Sequence, residues 1–228
     1  MSIIIALLIF SLIVLFHEFG HFLLAKKNGI TVVEFSLGMG PRLLSFDKGG
    51  TKYSWKLLPF GGSCMMLGED EGTMEPGAFA AASVWARISV IAAGPVFNFI
   101  LAFVLSLFII GSIGYDKPVI LQVSDGYPAA EAGLKEGDIV KKINHSNIHV
   151  AREVTNYVTF HQKQSVTMTV ERDGKDITVQ MDPVANESGR YIFGISCSSN
   201  YREKCGILGT LKYSAYEVKY WIQLTIES

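Results

Sequence analysis

The sequence predicts a mixed fold class: an α-helical transmembrane core with a membrane-associated β-loop, followed by a soluble α+β domain. Hydrophobic residues make up 49% of the 228 residues, which is high for a soluble protein. They concentrate in two apolar runs, residues 2–25 and 86–113, each longer than the roughly 20 residues that cross a bilayer core. After residue 115 the residue pattern changes to short segments of alternating polarity separated by glycine turns, which is typical of a small soluble domain.

The first run is predicted to be a membrane-spanning helix. Its only ionisable residues before Leu24 are His17, Glu18 and His21. No basic residue precedes it and it ends in "AKK", so it lacks the features of a cleaved signal peptide. Because Lys26 and Lys27 follow it directly, the positive-inside rule places residues 26–87 in the cytoplasm and the amino terminus outside.

Residues 31–62 are predicted to form the β-loop. Aromatic and branched residues are separated by "GMGP", "KGG" and "FGG", which are turn signals. Tyr53, Trp55 and Leu57 fall on alternate positions of one strand. This sheet either dips into the membrane interface or caps the helices as a small soluble hairpin, and the pattern does not decide between these alternatives.

The second run is predicted to be a spanning helix interrupted near its middle. Gly94 and Pro95 lie inside it, and such residues imply a kink whose freed carbonyls need other partners. Asn98 lies on the next turn. An intramembrane Asn either joins helices by hydrogen bonding or, with Gly94 and Pro95, forms the wall of a polar cavity around the histidines.

Residues 115–184 are predicted to form one soluble domain. Its expected elements are a strand in "VILQV", a short helix, glycine turn and strand in "PAAEAGLKEGDIVKKIN", a helix in "EVTNYVTFHQ", and a hairpin turning at Asp173-Gly174. Residues 185–228 are predicted to be a linker and an amphipathic interfacial helix leading to a further span that the sequence lacks. Its aromatic anchors would be Tyr213, Tyr216, Tyr220 and Trp221.

The remaining composition excludes some functions. The net charge is −1 and no basic face carries interleaved aromatic residues, so no nucleic-acid partner is expected. Cys64 is expected to stay reduced, whereas Cys197 and Cys205 either form a disulfide or, more in keeping with an exposed loop, stay unpaired. The three later histidines are expected on the surface and not as metal ligands: His145, His149 and His161.

The motif "HEFGH" carries the chemistry. His17 and His21 are four residues apart, so on a helix both imidazoles project from the same face and can hold one metal ion. Glu18 lies beside them, as in the H-E-x-x-H pattern of zinc peptidases, where a carboxylate takes and returns a proton. Placing these residues in lipid is costly without a functional reason. A catalytic zinc also needs a third protein ligand.

The order of these motifs resembles one family. A first span with "HEFGH", then "EFSLGMGPRLLSF" and "GTKYSWKLLPFGG", then "GPVFN" in a second span and "PAAEAGLKEGDIVKKIN" in an outer domain is similar to the site-2 proteases. These are intramembrane zinc metalloproteases, and the resemblance is to the bacterial regulator-of-sigma-E branch with its PDZ domain.

The resemblance implies Zn²⁺ as the cofactor, His17 and His21 as zinc ligands, and Glu18 as the catalytic acid/base. It also implies a β-loop that presents the substrate as an added strand and a PDZ domain that filters or docks substrates. Expected partners are the lipid bilayer, single-pass membrane substrates such as anti-sigma factors or remnant signal peptides, and an upstream site-1-type protease. The location would be the bacterial inner membrane, with a multi-pass topology, the PDZ domain outside and the active site near the cytoplasmic side.

One departure from the family pattern is important. The family's third ligand is an aspartate in an "LDG" context of a later span, and this sequence has no such motif. The chain is therefore expected to be an amino-terminal fragment that binds zinc weakly and cleaves poorly as it stands. An inactive membrane-anchored PDZ adaptor is the main alternative, and a fragment of a metal transporter or channel is a third.

Overall fold

The computed structural model describes residues 2–69, 74–186, 188–197 and 201–227. The chain divides into two compact units, Met1–Ala102 and Phe103–Ser228. Residues 70–73, before the second apolar run, and parts of the predicted linker after residue 185 lie outside the described residues.

Two long apolar helices dominate the first unit. Helix α1 is Ser2–Lys27 and helix α2 is Val84–Ile113, whose last turns belong to the second unit. Both have a mean hydropathy of 2.5 over their most apolar window, and only 6% and 11% of those windows is buried. A core helix of a soluble protein would be mostly buried. Length and composition therefore make both helices candidate membrane spans.

The ends of these helices have recognisable signals. Gly29, just beyond α1, has φ +73°, and the N–H of Ile30 returns to the carbonyl of Ala25 at 2.9 Å, as at many helix carboxyl ends. Ser83 Oγ accepts a hydrogen bond from the Ala86 N–H at 3.2 Å and caps α2. Helix α2 continues through Pro95 without a break.

Two long strands connect these helices. Strand β1 is Val32–Lys48 and strand β2 is Thr51–Met66, and they pair antiparallel, from Val32 opposite Met66 to Lys48 opposite Thr51. Both fold back, so that residues 34–37 stand opposite residues 52–55 as well as 62–65. Segment 51–56 is thus flanked by 34–37 on one side and by 42–48 on the other. We call this arrangement the β-sheet of the first unit.

This β-sheet runs along α1 instead of capping its end. Lys26 Nζ donates to the Gly49 carbonyl at 2.9 Å, the Cys64 N–H donates to Glu18 at 2.9 Å, and Ser11 Oγ donates to the Pro59 carbonyl at 2.8 Å. At 1.5 Å per residue, the interval from Ser11 to Lys26 measures about 22 Å. The sheet therefore lies beside the helix over most of the helix's length.

The second unit begins its strands at residue 115 and continues them past residue 184, into the stretch predicted to be a linker. Its elements are β3 (Tyr115–Asp116), β4 (Ile120–Val123), α3 (Pro128–Glu131), β5 (Ile139–Ile143), β6 (Ser146–Asn147), α4 (Ala151–Phe160), β7 (Val166–Arg172), β8 (Lys175–Met181), β9 (Val184–Ala185), β10 (Tyr191–Ile192), β11 (Ile195–Cys197), β12 (Arg202–Glu203) and α5 (Ile207–Glu227). The main sheet has the order β6-β5-β7-β8, and β4 pairs with β11 and β3 with β12.

The hydrophobic core of this domain follows the alternation in the sequence. Val166, Met168 and Val170 of β7 are fully buried, and Ile177 and Val179 of β8 pack against the same cluster. The two strands join at Asp173 and Gly174, both with positive φ (51° and 73°), which is the geometry of a tight hairpin turn.

Helix α5 packs on the domain through an ion cluster. The fully buried Asp116 accepts from Arg152 Nε at 3.0 Å, and the same guanidinium bonds to Glu217 of α5. Burial raises the pKa of Glu217, with Arg152 opposing the rise. His149 stacks on Tyr216 of α5 with ring centroids 3.7 Å apart, so the expectation of a surface histidine is wrong for His149 because α5 covers its ring. Cys64, Cys197 and Cys205 are all free thiols.

Candidate metal centre

The three ionisable residues of α1 form one side of the candidate site. His17 and His21 lie one turn apart on the helix, and their ring centroids are 4.8 Å apart at an interplanar angle of 75°. Both rings and Glu18 are half-buried. The spacing therefore produces the shared face that the sequence predicts.

His21 is held by a backbone group of α2. Its Nδ1 lies 2.7 Å from the Val90 carbonyl oxygen, which only accepts hydrogen bonds, so Nδ1 carries the proton. The proton on Nδ1 leaves the lone pair of Nε2 free, which is the form in which a histidine binds a metal.

His17 is held by the side chain of Asn98. Its Nδ1 lies 3.2 Å from Asn98 Nδ2, while the Oδ1 atom of the same amide is buried without a hydrogen-bond partner among the described residues. Turning the amide by 180° exchanges these two atoms. Oδ1 would then accept a hydrogen bond from the Nδ1–H of His17, and His17 would also present a free Nε2 lone pair.

Gly94 leaves room for both histidines. A Cβ atom on Gly94 would lie 2.5 Å from His17 Nε2 and 2.6 Å from His21 Nε2. The two nitrogens therefore converge on the space beside Gly94. Gly20 has a related role, since a Cβ there would lie 2.6 Å from the Ala93 carbonyl oxygen, so two glycines permit the close approach of α1 and α2.

Glu18 is oriented by the β-sheet of the first unit. Its Oε2 accepts the Cys64 N–H at 2.9 Å, and a Cβ on Gly62 would lie 3.6 Å from its Cγ. One carboxylate oxygen is thus fixed by backbone, and Oε1 remains for a proton-transfer partner. Burial raises the pKa of the Cys64 thiol to about 12, and the charges of Glu18 and Glu69 add to the rise.

The site residues predicted from sequence do not all lie together. Gly94 and Asn98 adjoin the histidines, and Pro95 lies next to Gly94 within α2. Tyr53 and Trp55 line a separate apolar hollow on the sheet, and Leu57 is exposed. The sheet segment that reaches Glu18 is instead Gly62–Cys64.

Sequence reasoning missed the backbone groups of the site. Neither the Val90 carbonyl nor the Cys64 N–H was foreseen, because a backbone group has no signature of its own in the sequence. The four-residue interval from Gly94 to Asn98 is a signal that was available, since it places both on one face of α2.

The donor set fits two ligands to a zinc ion. Two imidazoles can present free Nε2 atoms to one open space, and an orphaned amide oxygen is available to fix one of them. Among the described residues, no group of three or more His, Cys, Asp or Glu side chains is placed to hold a metal ion. A third ligand is therefore not found in this part of the chain.

Two histidines and a glutamate on one turn of an apolar helix define the class of metal-dependent peptidases with an H-E-x-x-H motif. The model of peptidase family M50 matches residues 5–222. The chain belongs to peptidase family M50, and relatives that carry the name zinc metalloprotease indicate zinc as the family's metal.

Several curated proteins are similar to this chain. A putative zinc metalloprotease of Clostridium perfringens is 37% identical over 86% of this chain and 58% of its own length. One from Clostridium acetobutylicum is 35% identical over 95% of this chain and 63% of its own length. The regulator of sigma-W protease RasP of Bacillus subtilis is 28% identical over 92% of this chain. The chain thus spans about three fifths of the length of the two clostridial relatives.

Among solved structures, the PDZ domain of an SdrC-like protein from Listeria monocytogenes is 21% identical and covers 37% of this chain and 90% of its own, with a TM-score of 0.33. The PDZ domain of an SdrC-like protein from Listeria innocua gives a TM-score of 0.34 at 20% identity, covering 39% of this chain.

Proposed function

We propose that this protein is an intramembrane zinc endopeptidase that cleaves peptide bonds within the membrane-spanning segments of single-pass proteins. The observation that carries the proposal is the convergence of His17 and His21 beside Gly94, with Glu18 on the same turn of an apolar helix. A charged cluster in such a helix is costly unless it performs a function.

Each residue has a distinct role in this proposal. His17 and His21 would hold the zinc through Nε2, and the third ligand that a catalytic zinc needs is not among the described residues. When bound, zinc supplies a Lewis acid for the scissile carbonyl. Glu18 takes a proton from the attacking water through Oε1 and returns it to the leaving nitrogen. Val90 and Asn98 keep the histidine rings in place.

The β-sheet of the first unit would present the substrate. A helical segment must be unwound before its backbone can be cleaved, and adding it as a strand to a sheet edge unwinds it. Segment 62–66 pairs on one side with residues 32–36, and its Cys64 N–H bonds to Glu18. A peptide added at that edge would pass beside Glu18.

The proposed setting is the bacterial inner membrane, in a multi-pass protein. The amino terminus and the PDZ-like domain would lie outside, and the active site near the cytoplasmic side. Substrates would be anti-sigma factors or remnant signal peptides, shortened first by a site-1-type protease. The positive charges after α1 support this orientation, and the name of the RasP relative supports a regulatory substrate.

The decisive experiment compares Glu18→Gln with the unmodified protein, both expressed as the full-length parent of this chain. The substrate is a membrane-tethered reporter whose outer domain has been removed. We expect Glu18→Gln to lower cleavage by about 10²- to 10⁴-fold, because it removes the acid/base, while zinc content by metal analysis is unchanged. Glu75→Gln, on an exposed loop, is the matched control and keeps full activity.

The same experiment tests the adaptor alternative. Equal cleavage by Glu18→Gln and the unmodified protein would contradict the peptidase proposal. Absence of cleavage by either protein across several reporters would do the same, and would favour a membrane-anchored PDZ adaptor in which the histidines have only a structural metal.

A further inference from the structure

The β-sheet of the first unit contains an apolar hollow of about 360 Å³, away from the candidate metal centre. Its walls are mostly the side chains of Phe35, Leu37, Leu44, Phe46, Tyr53 and Trp55. Leu44, Phe46 and Trp55 are 66%, 62% and 52% exposed. Exposing these apolar side chains to water is unfavourable. What fills the hollow therefore depends on whether it faces water or lipid.

The position of the hollow along α1 gives its surroundings. Phe22 packs against Phe35 and Tyr53 with ring centroids 5.1 and 6.0 Å apart. Phe22 lies four residues before Lys26, which is about 6 Å along the helix axis. Lys26 is in the last turn of the candidate span. The Phe35 and Tyr53 walls of the hollow therefore lie level with Phe22, about one turn inside the end of the candidate span.

Two lysines lie beside the hollow. Lys26 and Lys48 line an adjoining recess that shares Phe46 and Tyr53 with it. Lys26 Nζ donates one hydrogen bond to the Gly49 carbonyl. Neither lysine forms an ion pair within the described part of the chain. Lys27 and Lys52 add positive charge nearby, and Asp47 is the acidic residue of this turn. The end of the hollow thus favours an anion.

We propose that this hollow binds an acyl chain of an anionic phospholipid whose headgroup phosphate contacts Lys26 and Lys48. An apolar groove that opens at headgroup depth onto two lysines complements both ends of such a lipid. The bound lipid fixes the depth of the sheet in the cytoplasmic leaflet. The proposal rests on the membrane placement that the proposed function also assumes, but not on proteolysis.

The test uses the full-length parent protein in phosphatidylcholine bilayers that contain a small fraction of phosphatidylglycerol with a photoactivatable acyl chain. After illumination, the labelled peptides are mapped by mass spectrometry. We expect labels at Leu44, Phe46 and Trp55, and we expect added phosphatidylglycerol to compete far better than added phosphatidylcholine. Glu18→Gln leaves the labelling unchanged, so this result is separate from the outcome for proteolysis.

Matched variants locate the two ends of the lipid. Lys26→Gln and Lys48→Gln each lower the labelling about fivefold, the effect of one lysine near an anionic surface. Lys27→Gln has a smaller effect, because Lys27 does not line the adjoining recess. Leu44→Ala lowers it and Leu43→Ala does not, because neighbouring residues of a strand face opposite sides.

Three results would overturn the proposal. Equal competition by the two lipids would show that no anion is recognised. Labels spread evenly over both helices would show only bulk lipid contact. Displacement of the label by a substrate segment that itself crosslinks at Trp55, with no preference for phosphatidylglycerol, would assign the hollow to substrate.

Discussion

Gly94 shows how a single residue without a side chain permits a metal site. The Nε2 atoms of His17 and His21 occupy the space that any other side chain would take. The nearest atoms to an added Cβ are the ring atoms themselves, and His21 is already fixed at Nδ1 by the Val90 carbonyl. The rings have little freedom to retreat, so the glycine is part of the site.

Gly94→Ala is therefore expected to weaken zinc binding. An added methyl group at 2.5 to 2.6 Å from both Nε2 atoms must displace the rings, and disturbing ligand orientation costs about 10- to 100-fold in metal affinity. Zinc affinity by competition with a chelating dye is the measurement. Gly111→Ala is the control in the same helix, because its nearest atom is Thr210 Cγ2 at 3.8 Å. Equal affinities of the two variants would contradict this role of Gly94.

The sequence predicts the side chains of this site better than the groups that hold them by hydrogen bonds. The spacing of His17, Glu18 and His21 depends only on helical periodicity, so it is readable without a structure. Asn98 is predicted as a cavity wall because a polar residue in an apolar helix stands out. The Cys64 N–H is a backbone donor brought to Glu18 by sheet folding across 46 residues. Local patterns contain no information about such an approach.

At the scale of elements, a buried carboxylate fastens the folded-back strands. Glu34 Oε1 accepts from Arg42 Nη2 at 2.8 Å and lies in hydrogen-bond contact with Ser54, and Lys56 is 3.4 Å from Oε2. Burial alone would raise the pKa of Glu34, but the bonds from Ser54 and Arg42 and the charge of Lys56 outweigh it and lower the pKa to about 2. The carboxylate thus joins three segments of the sheet.

This pKa predicts an acid-dependent loss of stability. Because the pKa falls from its ordinary 4.5 to about 2, the stabilisation by the ionised carboxylate is complete above pH 4.5 and disappears as the pH falls towards 2. We expect the fluorescence of Trp55, with Trp85 and Trp221 replaced by Phe, to report loosening over that range in vesicles. Glu34→Gln is expected to loosen the sheet already at pH 7, whereas Asp47→Asn, on an exposed position, keeps the acid transition. A transition that persists in Glu34→Gln would contradict this assignment.

The strands of this sheet are predicted in outline but not in register. "GMGP", "KGG" and "FGG" mark turns, yet they do not reveal that residues 34–37 have partners on both sides. The register depends on which segments meet after the chain folds back. It also depends on the ion pair between Glu34 and Arg42, which are eight residues apart. The hairpin of the second unit could be predicted from the sequence, because its alternating residues and the Asp173-Gly174 turn specify a local pairing of two strands.

At the scale of the whole molecule, the distribution of apolar surface indicates a membrane protein. The two long helices leave most of their apolar residues exposed, while the second unit has its own buried core around Val140 and Met168. The exposed side chains of the helices need lipid, and the core of the second unit is complete without it. The sequence predicts this division, since it depends on composition over long windows.

The proposed orientation can be tested with single cysteines. Lys27→Cys and Lys142→Cys both lie at exposed positions and are introduced with Cys197 and Cys205 replaced by serine. A membrane-impermeant maleimide added to intact cells whose outer envelope is permeabilised should label Lys142→Cys at once. It should label Lys27→Cys only after the inner membrane is opened, because Lys26 and Lys27 are expected on the cytoplasmic side. The reverse pattern would contradict the orientation.

The pairing of β3 with β12 has a consequence for how this architecture can change. Tyr115 stands opposite Glu203 and Asp116 opposite Arg202, so the chain enters and leaves the region between them through neighbouring strands, about 4.8 Å apart. Residues 117–201 therefore form an insertion whose two ends lie close together. Such an insert can be lengthened, shortened or exchanged for another domain without altering the distance between the chain segments that flank it.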